Sequence, residues 1–120
     1  MRGIRGATTV SVNNKDSIIT ATSNLIKTMI EKNSVSQEEI VSMIFTATDD
    51  INRIYPAVAA RKSGYNNIPL MCYQELNIKN SLKKCIRIMI YINRDCSLEK
   101  INHIYLKKAR SLRPDLVDDK

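Results

Sequence analysis

The chain has no tryptophan, one phenylalanine and one histidine, and only three residues each of glycine, proline and cysteine. Each shortage removes a class of function. A lone imidazole, His103, cannot make a two-histidine metal site, and a histidine-based triad would depend on it alone. The glycines form no Walker loop, no dinucleotide fingerprint and no Gly-x-Ser-x-Gly elbow. Cys72, Cys85 and Cys96 are odd in number and widely spaced, with no Cys-x-x-Cys. That pattern argues for reduced thiols in a cytoplasmic protein, against disulfides and against structural zinc. No apolar run approaches the ~20 residues of a membrane span, and Met1-Arg2-Gly3-Ile4-Arg5 opens a strand pattern rather than a secretory signal.

What remains is an ordinary globular composition. With 120 residues, 43% hydrophobic and 26% charged, the chain reads as one domain over 1–120 rather than a disordered or fibrous segment. Its net charge of +7 suits nucleic acid, an anionic membrane, a small polyanion or mere solubility. Scarce aromatics and short basic pairs, Lys83-Lys84 and Lys107-Lys108, weigh against nucleic acid.

Periodicity supplies the elements. Arg2 to Val12 alternates as a strand, with Arg5 on its polar face between Gly3 and Gly6, a pairing that suggests a bulge or a close approach. Ile18, Thr22, Leu25 and Met29 form the stripe of a helix from Asp16 to Lys32, stopped at Asn33. Ser36 and Glu39 have capping-box spacing. Ile40 to Thr48 is apolar on both faces, as an interior strand is. Pro56 opens a short helix, Ala57 to Lys62, closed by Ser63-Gly64. Ile68 to Glu75 reads as a strand whose Pro69 suits an edge or a strand start. Ser97 caps a further helix with Leu98 and Ile101, extending toward Ile104 and Tyr105, and the last four residues read as a frayed tail.

The stretch Lys83 to Ile92 organises the rest. Period two puts Ile86, Ile88, Ile90 and Ile92 on one face, with Cys85, Arg87, Met89 and Tyr91 on the other. Arg87 then sits mid-strand, where a guanidinium cannot be left unpaired cheaply. It must meet either a protein carboxylate, with Glu75 the candidate, or an anionic ligand. Arg5, Arg61 and Arg113 also lie in or beside ordered elements, with Glu75 and Tyr105 as hydrogen-bonding candidates. Converging guanidinium forks would hold a small dicarboxylate. Cys72 and Glu75, three apart, point to opposite faces of a regular strand and share a site only if it ends or bulges between them.

Six blocks in register carry a family resemblance: Arg2-Gly3-Ile4-Arg5-Gly6-Ala7-Thr8-Thr9; Tyr55-Pro56-Ala57 with Arg61; Cys72-Tyr73-Gln74-Glu75; Leu82-Lys83-Lys84-Cys85-Ile86-Arg87; His103-Ile104-Tyr105-Leu106; and Leu112-Arg113-Pro114-Asp115-Leu116. Together they resemble the AroH-class chorismate mutases, the monofunctional type distinct from the all-helical class. The resemblance implies an α+β fold, a mixed sheet with helices on one face, assembled as a homotrimeric pseudo-α/β barrel with active sites between subunits. It implies chorismate as substrate, prephenate as product, no cofactor and no metal, in cytoplasmic phenylalanine and tyrosine biosynthesis.

By matching position, the resemblance gives Arg87 the ether oxygen and a carboxylate of the substrate. Arg5 and Tyr105 would hold carboxylate, and Glu75 and Cys72 would face the ring hydroxyl. Tyr55, Ala57 and Arg61 would come from the neighbouring subunit, and Leu112 with Arg113 from a closing C-terminal segment. It also suggests a strand from Tyr105 to Leu112, where the lysine-rich residues by themselves read as helix. Val58, Met71 and Tyr55 depart from the family's usual lysine, smaller polar residue and phenylalanine. Two other readings are weighed beside it: a non-catalytic trimeric dicarboxylate-binding module, and a small basic nucleic-acid-binding protein.

Overall fold

The structure, a computed structural model, describes residues 1–116. Its elements are β1 (Arg2–Thr9), α1 (Lys15–Lys32), β2 (Ile40–Ala47), α2 (Ala57–Lys62), β3 (Leu70–Gln74), β4 (Cys85–Ile92) and β5 (Ile104–Tyr105). Short 3₁₀ turns occupy Gln37–Glu39, Leu98–Lys100, Lys107–Ser111 and Pro114–Leu116. The strands make one sheet in the order β3-β2-β4-β1-β5. β4 runs antiparallel to both β1 and β2, whereas β3 is parallel to β2 and β5 parallel to β1. This is the α+β mixed sheet with helices on one face that the sequence suggests.

The four isoleucines of β4 explain why that strand is central. Ile86, Ile88, Ile90 and Ile92 are at most 2% exposed, beside Ile4 of β1 and Met43 and Phe45 of β2. Full burial of each such side chain contributes about 1.5–3 kcal/mol. Helix α1 covers them with Ile18, Leu25, Ile26 and Met29, spaced to share one face. Ala57 and Ala60 of α2 join the same core. The close approach foreseen near Arg5 is made by α1: a methyl group on Gly6 would collide with the fully buried Met29 thioether.

Both ends of α1 are tied. The Asn14 side chain accepts from the Ser17 N–H at 2.8 Å. At the other end the Asn33 amide donates to Met29 O and Asn102 O, while its oxygen accepts from Asn102 N–H. Arg94, just past β4, completes this junction. Its Nε and Nη2 both donate to the Glu39 carboxylate at 2.8 Å, and Nη1 donates to Asn33 O at 2.9 Å. Hydrogen bonds from Arg94, then from the Ser36 N–H, hold the Glu39 carboxyl down at about 2.

Several boundaries differ from the sequence reading, each for a local reason. β1 stops at Thr9 rather than Val12. β3 starts at Leu70 rather than Ile68, because Pro69 has no N–H for the ladder and serves it only by accepting from Met43 N–H. The helix expected after Ser97 is a single 3₁₀ turn: Leu98 is 69% exposed and packs nothing, while Ile104 and Tyr105 leave to pair with β1. The strand expected from Tyr105 to Leu112 ends after Tyr105. Lys107 takes a positive φ of 53°, and the next residues form a 3₁₀ helix that buries Ala109. There the lysine-rich residues' own helical reading is the nearer one. The tail beyond 116 lies outside the described residues.

Candidate active site

The sheet face away from the helices carries Arg5, Arg87 and Tyr105. One cross-strand row reads Tyr73, Thr46, Arg87, Ala7, Tyr105 in the order β3-β2-β4-β1-β5. Side chains in such a row point the same way. Ala7 presents only a methyl group between Arg87 and Tyr105, so both reach one cavity. Arg5, two residues along β1, joins them there. That cavity, of about 280 Å³, is lined by Arg5, Thr46, Arg87, Tyr105, Leu112 and Arg113 among others.

Arg87 does meet Glu75. Its Nε lies 3.1 Å from both carboxylate oxygens, and Glu75 Oε2 also accepts from Thr46 Oγ1 at 3.0 Å. The contact uses only the inner nitrogen. Among the described residues, no oxygen acceptor takes a hydrogen from the two terminal nitrogens, and the Arg87 side chain is 47% exposed against 13% for Glu75. The pair therefore orients the guanidinium without saturating it. The two readings of Arg87, protein partner or ligand, are compatible: Glu75 takes Nε and, among the described residues, leaves the terminal nitrogens without an oxygen partner.

Local structure fixes this geometry at its root. Lys84 takes a positive φ of 49° immediately before β4. Its N–H donates to both Asp50 oxygens at 3.0 Å, and the Cys85 N–H donates to Thr48 Oγ1 at 3.0 Å. The Thr48 hydroxyl in turn donates to Asp50. Cys85, on the same face as Arg87 but fully buried, has its thiol pushed up to about 11, first by burial and then by the Glu75 charge. It stays protonated at neutral pH.

Arg5 is positioned from its backbone. Its N–H donates to His103 Nδ1 at 2.9 Å. His103 itself is half-buried, between the 3₁₀ turn and β5, with Nδ1 as an acceptor. Burial, then the charges of Arg5 and Arg113, lowers its pKa, which keeps that nitrogen free of a proton. Arg113 makes a two-pronged pair with Asp115, Nε to Oδ1 at 3.1 Å and Nη2 to Oδ2 at 2.9 Å.

The other candidate residues form a separate group. Tyr55 and Cys72 line a different, larger cavity of about 600 Å³, together with Thr48, Arg53 and Gln74. Cys72, half-buried against the core, feels a desolvation that raises its thiol pKa, opposed by the Ala57 N–H and the Arg61 charge. β3 ends between Cys72 and Glu75, yet the two stay apart: Glu75 turns to Arg87 and Cys72 to Ala57 and Arg61. One chain thus holds two walls rather than one enclosed site. The residues missed in the sequence are Thr46 and His103. Thr46 could be reached only by pairing β2 with β4 in register, and His103, although in one block with Tyr105, only by knowing that its segment lies beside Arg5.

An exposed guanidinium paired with a carboxylate, with further arginines and a tyrosine around one cavity, is an arrangement whose charge and geometry suit a small anion. Over residues 1–116 the chain matches the family model described as chorismate mutase type I, and it belongs to that family. Chorismate mutase AroH of Bacillus subtilis is 42% identical over 117 residues, covering 97% of this chain and 92% of the relative. Chorismate mutase AroH of Thermus thermophilus is 40% identical over 97% of this chain and 96% of its own length. A solved chorismate mutase from Clostridium thermocellum superposes with a TM-score of 0.90 at 44% identity, over 92% of this chain and 99% of that one.

Proposed function

We propose that this chain is a chorismate mutase, an isomerase that rearranges chorismate to prephenate in aromatic amino acid biosynthesis. The observation that carries the reading is the half-free guanidinium of Arg87, aimed by Glu75 into a cavity it shares with Arg5 and Tyr105. In this rearrangement one C–O bond breaks and one C–C bond forms within a single molecule, so no nucleophile, general base or co-substrate is required. The enzyme must hold the substrate in its compact conformation and stabilise the negative character that builds on the ether oxygen. Arg87 supplies that charge through its terminal nitrogens. Arg5 and Tyr105 hold carboxylate, Glu75 meets the ring hydroxyl, and Leu112 with Arg113 closes over the cavity. One well-aimed donor is worth about 2.7–4 kcal/mol in the transition state. The net charge of +7 speeds capture of a dianion.

The second wall, Tyr55, Ala57, Arg61 and Cys72, faces the substrate from a neighbouring subunit of a homotrimer whose sheets close into a barrel. Two observations support this assembly. Tyr55 and Cys72 line a different cavity of one chain from Arg5, Arg87 and Tyr105. Around the second wall Tyr55, Met71 and Tyr73 are 50–70% exposed, an apolar surface that a partner copy would cover. Three free thiols suit a reducing compartment, and we assign the enzyme to the cytoplasm.

The test is to incubate purified protein with chorismate and follow its absorbance while measuring the oligomer's mass. Rapid loss of chorismate by a trimer is expected. Binding of a dicarboxylate analogue without turnover would favour a binding module instead, and salt-dependent retention on RNA or DNA without turnover would favour a nucleic-acid-binding protein.

A further inference from the structure

We propose that Thr46 is a positioning residue for the rearrangement: its hydroxyl fixes the Glu75 carboxylate, and through it the direction of the Arg87 guanidinium. The inference rests on the function proposed above. Three observations converge on it. Thr46 Oγ1 donates to Glu75 Oε2 at 3.0 Å, the same oxygen that accepts from Arg87 Nε. Thr46 and Arg87 are direct cross-strand partners, so their side chains rise from the sheet side by side. The Glu75 backbone is anchored to the same strand, its N–H donating to Ala47 O at 2.9 Å.

The need for such an anchor follows from where Glu75 sits. It lies one residue beyond the end of β3, at the edge of the sheet, followed by a run of exposed residues from Leu76 to Ser81. A glutamate there has three freely rotating side-chain torsions and no strand to restrain it. Two consecutive residues of β2, an interior strand, hold it by backbone and by carboxylate. With the hydroxyl gone, Glu75 still attracts Arg87, but the pair can swing as a unit away from the cavity. A threonine methyl also fills the space beside Arg87, so a β-branched residue without the hydroxyl keeps the packing and removes only the donor. Thr46 lines the cavity, but its hydroxyl is spent on the pair, so the contribution assigned to it is aim.

The experiment compares Thr46→Val, Thr46→Ser and wild type in the chorismate assay. Thr46→Val should lose on the order of tenfold in kcat, the scale of a small misplacement of a reacting group, with KM changed less than about twofold. Thr46→Ser should restore kcat, and Tm and trimer mass should be unchanged in both. On a Glu75→Ala background Thr46→Val should cost nothing further, because its effect passes through Glu75. Wild-type kcat in Thr46→Val would overturn the proposal, as would a loss that serine does not restore or one that adds in full to Glu75→Ala. Absence of turnover by the wild type would instead overturn the chorismate mutase reading itself.

Discussion

Among the described residues two arginine–glutamate pairs are built to different ends. Arg94 uses Nε and both terminal nitrogens on Glu39, Asn33 and Ser34, and about a quarter of each side chain in the pair is exposed. Arg87 gives Glu75 only Nε and is 47% exposed. With four hydrogen bonds a guanidinium joins pieces of the chain: Arg94 fastens the end of β4 to the end of α1 and the turn before β2. A half-used guanidinium is held out to something else. The same residue types thus make a structural clip past the end of β4 and, in our proposal, a ligand group within it, and the count of free N–H groups separates them.

Substitution can break that contrast. The largest effect belongs to Arg87→Ala, which should lower kcat by about 10²–10³-fold, the loss typical of removing one transition-state donor. Its Tm should stay close to the wild type, because a half-exposed side chain is being truncated. Near-normal kcat in this variant would mean that Arg87 is a surface charge like many others. Arg94→Ala should do the reverse, lowering Tm by about 5 °C while the folded fraction keeps its kcat. The pair also has an acid signature. Glu39 is depressed from 4.5 to about 2, so its contribution is present above about 4.5 and is lost as pH falls toward 2. Arg94→Ala should flatten that limb of the Tm–pH curve, and an unchanged limb would remove Glu39 as its source.

The smallest expected effect is at His103. Its folded pKa lies below the ordinary 6.5, so the unfolded chain binds the extra proton first. Stability is then full above about 6.5 and declines as pH falls from there toward the lowered folded value. His103→Gln should remove this shallow step. If the step persisted in that variant, another group would be responsible and the Nδ1 contact to Arg5 would not be what titrates.

How far the sequence carries depends on what each residue interacts with. The Ile86-Ile88-Ile90-Ile92 alternation and the α1 stripe are legible because burial on one face imposes its own period. Arg87 stands out for the converse reason, as a charge within that period. The segment after Ser97 is misread because its turns answer to β1 rather than to their own sequence. Ile104 and Tyr105 pair with Gly6 and Ala7, nearly a hundred residues away. Thr46 was invisible for the same reason: a threonine in an apolar strand carries no signal until the register sets it beside Arg87 and Glu75. That Cys72 and Glu75, three residues apart in the chain, line different cavities likewise needs three dimensions to see.

The central claim is that Arg87 keeps its terminal nitrogens for the substrate while Glu75 holds Nε. A crystal structure with a dicarboxylate analogue of the substrate tests it most directly. The account predicts an analogue oxygen within hydrogen-bonding distance of an Arg87 terminal nitrogen, with Nε still on Glu75. An analogue seated away from Arg87, or an Arg87 whose terminal nitrogens have closed onto protein acceptors, would contradict it.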